Sequence, residues 1–499
     1  MKFIKYIFLL VALCTVQFSC DDGFDEINTN PNAANEINPD FQFSYCQLTT
    51  SGERYENWRA VLIYSSVMIQ HFATTCGYWN GDKYTYNAGY SSSLYDRNYT
   101  NTIKNMEDLL NTLRTTDGAD QAKLAMARIW RVVTFHRMTD MYGDVPYSEA
   151  GKGFLEGIDK PKFDPQSEIY ADMLKELGEA VTQLNGTGFG SADFLYGGDL
   201  DKWRKFGNSL MLRLGMRLSQ VDPATAQAMI SKAIAGGLME SYMDDAFITH
   251  TNGPEGINMN GVGEVLDLVN GSGGDTCPRL SQTLVDWMTG TSDPRLDVLG
   301  VTPVNGGPHN GLPNGLDATT IVNNPTGTST DDFSRINPAI VKVSSPMMFM
   351  TYAETQFLMA EAILRGWASG DAATHYENGV RAAMKSWSHY GQDIDDAAID
   401  AYVAANPFDG TMKQIGWQFW AATILNEYEA FSNWRRTGYP DLVPVNYPGN
   451  VTNGQIPLRL AISQGDATIN DANWEEAKSR QGLGDDFGSH LKVPVWWDK

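Results

Sequence analysis

Along most of the chain, apolar residues recur at helical rather than strand spacing. In 120–142 (DQAKLAMARIWRVVTFHRMTDMY), Ala125, Ile129, Val132 and Val133 form one stripe, widened by Leu124, Phe135 and Met138. A stripe that broad predicts a helix buried around much of its circumference. Asp117, Gly118 and Asp120 precede it as stop and cap residues, and Gly143 and Pro146 end it. The same pattern predicts helices over 60–73, 165–184, 202–219, 223–235, 346–366, 371–388 and 414–433. Asp164-Pro165 and Asp222-Pro223 open two of these with proline at an early helical position. Ser369-Gly370-Asp371 turns one long helix into the next, the unit of tetratricopeptide-like stacks. Small residues such as Ala360, Ala362, Ala372, Ala373, Ala382 and Ala383 allow close packing there, although the strict 34-residue consensus is absent. Strand signals are weak, limited to short hairpins. The fold class is therefore all-α, a tetratricopeptide-like helix-pair scaffold.

One stretch breaks the pattern. Residues 251–340 hold 14 Gly and 8 Pro, so the segment reads as a loop-rich excursion from a scaffold that rebuilds at 346. Arg279, Leu280, Leu284, Trp287 and Met288 predict a short ordered helix inside it.

The N-terminus reads as an address. In residues 1–20 (MKFIKYIFLLVALCTVQFSC), Lys2 and Lys5 precede a short apolar run, and Ser19 precedes Cys20. A cysteine at that junction marks a lipoprotein signal, with Cys20 as the lipidated first residue; ordinary cleavage leaving a free Cys20 is the alternative. Acyl chains contribute about 0.8 kcal/mol per buried methylene to anchoring. Residues 21–40 are polar and rich in Asn and Pro, a tether, and 41–499 form a single body that carries the 251–340 insert. Beyond Cys14 and Cys20 there are Cys46, Cys76 and Cys277, an odd number. A Cys46–Cys76 bridge and three small buried thiols both remain open.

Composition narrows the function. A formal charge of -23 over 499 residues argues against nucleic acid and against charge-driven membrane adhesion, leaving the lipid as the only membrane contact. There is no HExxH, P-loop or GxGxxG, and the seven histidines show no metal spacing, so no catalytic residues and no cofactor are assigned. A structural calcium is the one metal left open. The best binding candidates lie in 78–97: Tyr78, Trp79, Tyr84, Tyr86, Tyr90, Tyr95 and Arg97, interleaved with Asn80, Asp82, Lys83 and Asn87. Rings offer flat faces to sugars or peptide side chains, and the polar groups supply directional hydrogen bonds. Gly77, Gly81 and Gly89 predict an exposed loop, with Trp79 the foremost candidate. The bland alternative is that these rings pack on the scaffold. Trp287, His309 and Asn310 are further candidates from the excursion. Asp140 and Asp144 read as caps or partners of Arg137, Arg435 and Arg436 as packed ion pairs, and Trp496-Trp497 as a docked tail.

Several motifs together carry a resemblance. They are FDEINTNPN (24–32), RMTDMYGDVPYSEA (137–150), DPQSEIY (164–170), WRKFGNSLMLRLGMRL (203–218), SDPRL (292–296), TYAETQFLMAEAILRGW (351–367), NWRRTGYPDLVP (433–444), IPLRL (456–460) and KVPVWWDK (492–499). In this order they resemble the SusD/RagB family of Bacteroidetes outer-membrane lipoproteins, in its SusD-like-2 branch. The resemblance implies a tetratricopeptide-like body with a loop-rich ligand-binding region. It also implies a cell-surface, lipid-anchored place on the outer membrane, as a lid over a SusC-like TonB-dependent transporter. Such a protein captures a nutrient, a glycan oligomer or a peptide, and does not cleave it. In the family an early loop contributes to the ligand surface, and 78–97 matches it by order, not by residue identity. A lipid-anchored glycoside hydrolase or peptidase, or a scaffold lipoprotein without a small ligand, are the alternatives.

Overall fold

The computed structural model describes residues 37–268 and 277–498. The expected signal segment with Cys20, and most of the 21–40 tether, lie outside the described residues.

The helical stripes fold as their spacing dictates. Helix α1 (Pro39–Ser51) is followed by α2 (Asn57–Ser66), which is wound wider than an α-helix. Then come α3 (Lys104–Thr115), α4 (Gln121–Tyr142), α5 (Gln166–Gln183), α6 (Leu200–Arg217) and α7 (Pro223–Gly236). The excursion carries α8 (Gln282–Thr291). Beyond it lie α9 (Tyr352–Leu364), α10 (Ala372–Lys385), α11 (Asp396–Ala405), α12 (Met412–Ala422) and α13 (Glu427–Thr437). Sequence neighbours pack as pairs: α4 with α5, α5 with α6, α6 with α7, and α9 with α10. Gly379 lets α10 approach α9 closely, since a Cβ there would come within 2.6 Å of the Phe357 ring. Asp120 caps α4 by accepting from the backbone N–H groups of Ala122 and Lys123, as its place before the stripe predicts.

Three predicted helices are corrected. The helix expected over 60–73 ends by Met68, because Gln70 takes a left-handed conformation (φ 58°) and Phe72 and Ala73 enter a strand. The helix expected over 346–366 starts only at Tyr352. Pro346 precedes an extended run, and Thr351 Oγ1 caps the helix by accepting from Glu354 N at 3.2 Å. The helix expected over 414–433 is two helices, because Leu425 takes a left-handed conformation (φ 70°) and breaks the chain between α12 and α13. The Glu427 carboxylate steadies that break by accepting from Leu425 N at 3.1 Å.

Strands are short. Among the described residues they form four two-stranded antiparallel pairs. Strand β1 (Phe72–Thr74) pairs with β5 (Pro278–Leu280), β2 (Val145–Pro146) with β3 (Phe163–Asp164), β4 (Ala246–Ile248) with β8 (Met347–Met350), and β6 (Gly300–Val301) with β7 (Arg335–Ile336). The β1–β5 pair joins the start of the chain to the excursion and corrects both cysteine readings. It brings Cys76 and Cys277 together as a disulfide, with Cα atoms 5.8 Å apart. Cys46 stays a buried free thiol under α4, its carbonyl accepting from Trp130 Nε1 at 3.3 Å.

The core holds a buried charge network. Arg213 makes a two-pronged pair with Glu354 (2.5 and 2.7 Å), and Arg217 bridges Glu429 (2.5 Å) and Asp140 (3.2 Å). Trp497 of the C-terminal tail is buried against it and donates to Asp140 at 3.0 Å. Arg436 pairs with Glu361 at 2.6 Å, whereas Arg435 donates to the carbonyls of Asp140 and Leu458. Arg137 donates to the Thr50 carbonyl rather than pairing with Asp140 or Asp144.

Candidate ligand-binding site

The segment after α1 turns at Gly52 (φ 88°), and a short helix, Arg54–Glu56, runs on into α2. Helical spacing then places Arg54, Tyr55, Trp58 and Arg59 as near neighbours. The Arg59 guanidinium lies 3.9 Å from the Tyr55 ring centroid and 5.5 Å from that of Trp58. Arg54 lies 5.0 Å from the Trp58 ring. Two later residues close on the same rings. Arg97 sits 4.8 Å from the Tyr55 ring, and Tyr90 lies 5.6 Å from the Arg59 guanidinium. Tyr78 meets Trp58 edge-on, with centroids 6.1 Å apart and planes at 84°. Glu53, Arg54, Tyr55, Trp58, Arg59, Arg97 and Glu264 line a surface cavity of about 270 Å³.

The electrostatics are mixed. Among the described residues, Arg54, Arg59 and Arg97 have no carboxylate oxygen within the 4.0 Å of an ion pair, and each is held by rings instead. Burial raises the carboxyl of Glu264, and the neighbouring Arg54 partly offsets it. Below the cavity Glu56 is only 4% exposed, and burial pushes its carboxyl up to about 7. Its Oε1 accepts from Glu53 N at 2.9 Å, and its Oε2 has no hydrogen-bond partner among the described residues.

The candidates named from sequence divide sharply. Tyr78 is 38% exposed, and the half-buried Tyr90 and Arg97 belong to the cluster. Trp79 is corrected: at 0% exposed it presents no ring face to a ligand. Tyr84 and Tyr95 are corrected on the same ground. Tyr84 is buried with its hydroxyl accepting from Val445 N, and Tyr95 packs on Tyr99 and Tyr142. Tyr86 is half-buried, its hydroxyl meeting Gln464, and Trp287 stacks on Trp417 at 5.3 Å. His309 bonds Ser334 and Asp297, while the Asn310 amide donates to two loop carbonyls. None of these partners lines the cavity. Sequence reasoning missed Arg54, Tyr55, Trp58 and Arg59. The signal was present: two basic–aromatic neighbours at helical spacing just after a glycine turn.

This arrangement offers ring faces, planar donors and carboxylate acceptors around one opening, the equipment to hold a polar, ring-bearing ligand. Among the described residues no group of three or more His, Cys, Asp or Glu side chains is placed to hold a metal ion, and no helix is long and apolar enough to cross a membrane. Helix pairs carrying such a surface define a helical binding protein. The chain belongs to the SusD-like family, described as starch-binding and associating with the outer membrane, whose profile matches residues 31–462. Its members are binding proteins rather than enzymes.

Solved structures agree across the body. A chitin-binding protein is 35% identical with a TM-score of 0.83, and the match covers 93% of this chain and all of that one. A Bacteroidetes AC2a SusD-like protein is 27% identical with a TM-score of 0.80, over 93% of this chain and 100% of the other. A chitin-binding SusD homologue from Flavobacterium johnsoniae is 25% identical with a TM-score of 0.76, over 92% and 98%. No curated relative matches the chain.

Proposed function

We propose that this chain captures a neutral glycan oligomer of the chitin type at the Tyr55–Trp58–Tyr78 surface. The observation that carries the proposal is the pairing of the half-buried Tyr55 and Trp58 rings with both signs of charge at one cavity, with the exposed Tyr78 against Trp58. Pyranose C–H faces suit the rings, and acetamido carbonyls and hydroxyls suit the guanidinium donors. Acetamido N–H groups and hydroxyls suit Glu53 and Glu264. Two carboxylates beside three guanidinium groups favour a ligand with donors and acceptors over an anion. The chitin-binding proteins of the same fold support this choice. The captured oligomer passes to a SusC-like TonB-dependent transporter, and Cys20 carries the lipid that keeps the protein at the cell surface.

Calorimetric titration with a chitin hexasaccharide tests the site. Trp58→Ala weakens binding about tenfold or more, as expected for a central aromatic anchor, with cooperative unfolding retained. Equal affinity in the variant rejects the site, and saturable binding of peptides but not glycans rejects the ligand class. Co-purification of a barrel from native membranes tests the transporter step, and loss of acyl labelling in Cys20→Ala tests the anchor.

A further inference from the structure

We propose that the Cys76–Cys277 disulfide and the buried Trp79 are positioning residues that hold Tyr78 at the ligand surface. This rests on the glycan site proposed above. Tyr78 occupies the tip of the segment Cys76-Gly77-Tyr78-Trp79. On one side Trp79 is fully buried, and its N–H donates to the Cys76 carbonyl at 3.1 Å. On the other, Cys76 is tied to Cys277, 201 residues away in sequence. The Tyr78 hydroxyl lies 3.3 Å from Cys277 Sγ, and its ring meets Trp58. Between the anchors, Gly77 is exposed, and a Cβ on it would meet nothing within 4 Å. No neighbour fills the space beside Gly77, so its position is set from its two ends, by the buried Trp79 and by the Cys76–Cys277 bond.

The bridge is not needed to bring the two segments together. Thr74 already opposes Pro278 in the β1–β5 ladder, and Lys83 Nζ donates to the Thr74 carbonyl at 3.0 Å. Asp82 and Lys83 form a buried pair at 2.9 Å. The Asp82 carboxylate also accepts from Gly315 N in the excursion at 3.2 Å. What the disulfide adds lies beyond the ladder's end, at the residue that carries Tyr78. Fixing an aromatic side chain before the ligand arrives removes an ordering cost from binding.

The test is a double-mutant cycle read with the chitin hexasaccharide. Cys76→Ser/Cys277→Ser weakens binding about fivefold while cooperative unfolding is retained. Tyr78→Ala weakens it about tenfold, and adding the two serines to Tyr78→Ala changes nothing further. Phosphine reduction of the native protein gives a second reading of the same loss without a mutation. Full affinity after removal or reduction of the disulfide, with Trp58→Ala still impaired, overturns the inference and leaves the site standing. An additive loss in the Tyr78→Ala background also overturns it, because the disulfide then acts through general stability. If Trp58→Ala and Tyr78→Ala both bind normally, or the native protein does not bind the hexasaccharide, the site reading falls and takes this inference with it.

Discussion

Two groups of arginines in this molecule are built differently. In the interior, Arg213 and Arg217 are each met by carboxylates at hydrogen-bond distance, and the C-terminal Trp497 lies against Arg217. At the cavity, Arg54, Arg59 and Arg97 lie against rings, with Glu53 and Glu264 nearby but outside ion-pair distance. The interior set is committed to its own fold, since each charge removed from water is compensated on the spot. The cavity set keeps N–H donors for something else. Arginine abundance alone distinguishes nothing here; the partner does.

The largest test of this contrast is Arg217→Ala. It leaves Asp140 buried without an ion pair and Glu429 with Arg213 alone, 3.4 Å away, so the expected loss is about 3–5 kcal/mol of folding free energy, measured by urea unfolding. If the loss is no greater than for Arg59→Ala, the two groups are not physically distinct.

Much of the scaffold was legible because helical periodicity is local. The stripe of α4, with its Asp120 cap, and the turn between α9 and α10 needed only neighbouring residues. The site was less legible, because exposure is decided by the whole fold. The ring-rich stretch 78–97 looked like a loop from its glycines, yet a Cβ on Gly81 would lie 2.4 Å from the Ile63 carbonyl, so that glycine marks close packing instead. Trp79, Tyr84 and Tyr95 went inward with it. Trp58 was hidden at the start of an apolar run that reads as core. The Cys76–Cys277 pairing depended on a strand ladder across about 200 residues, which no periodicity reports.

The second test concerns Glu56, the buried carboxyl between these two worlds. Its pKa in the folded protein is raised to about 7 by burial, above the ordinary carboxylate value. The folded state therefore holds this proton more tightly than the unfolded state does. Below about pH 4.5 the group is protonated in both states and costs nothing; as pH rises to 7 the unfolded state alone loses its proton and stability falls. Above that a buried charge persists. Glu56→Gln keeps the oxygen that accepts from Glu53 N and removes the charge. It should gain up to about 3 kcal/mol at pH 8 and almost nothing at pH 4.5, as read by denaturant unfolding at the two pH values. A gain that does not depend on pH would show that packing rather than ionisation is responsible.

The smallest effect cuts closest to the contrast. Arg59→Lys keeps the positive charge at the cavity but loses the planar group that lies over Tyr55, and with it the Nη1 bond to the Tyr55 carbonyl at 3.0 Å. If the cavity arginines work as flat donors stacked on rings, lysine weakens the chitin hexasaccharide about threefold and alters folding free energy by less than about 0.5 kcal/mol. The affinity of the native protein for this neutral ligand should also hold steady as salt is raised, since no long-range charge attraction is being screened. Full affinity in the lysine variant, or a steep salt dependence in the native protein, would mean that the cavity uses net charge. The surface arginines would then differ from the interior ones only in lacking a carboxylate, which an acidic ligand would supply.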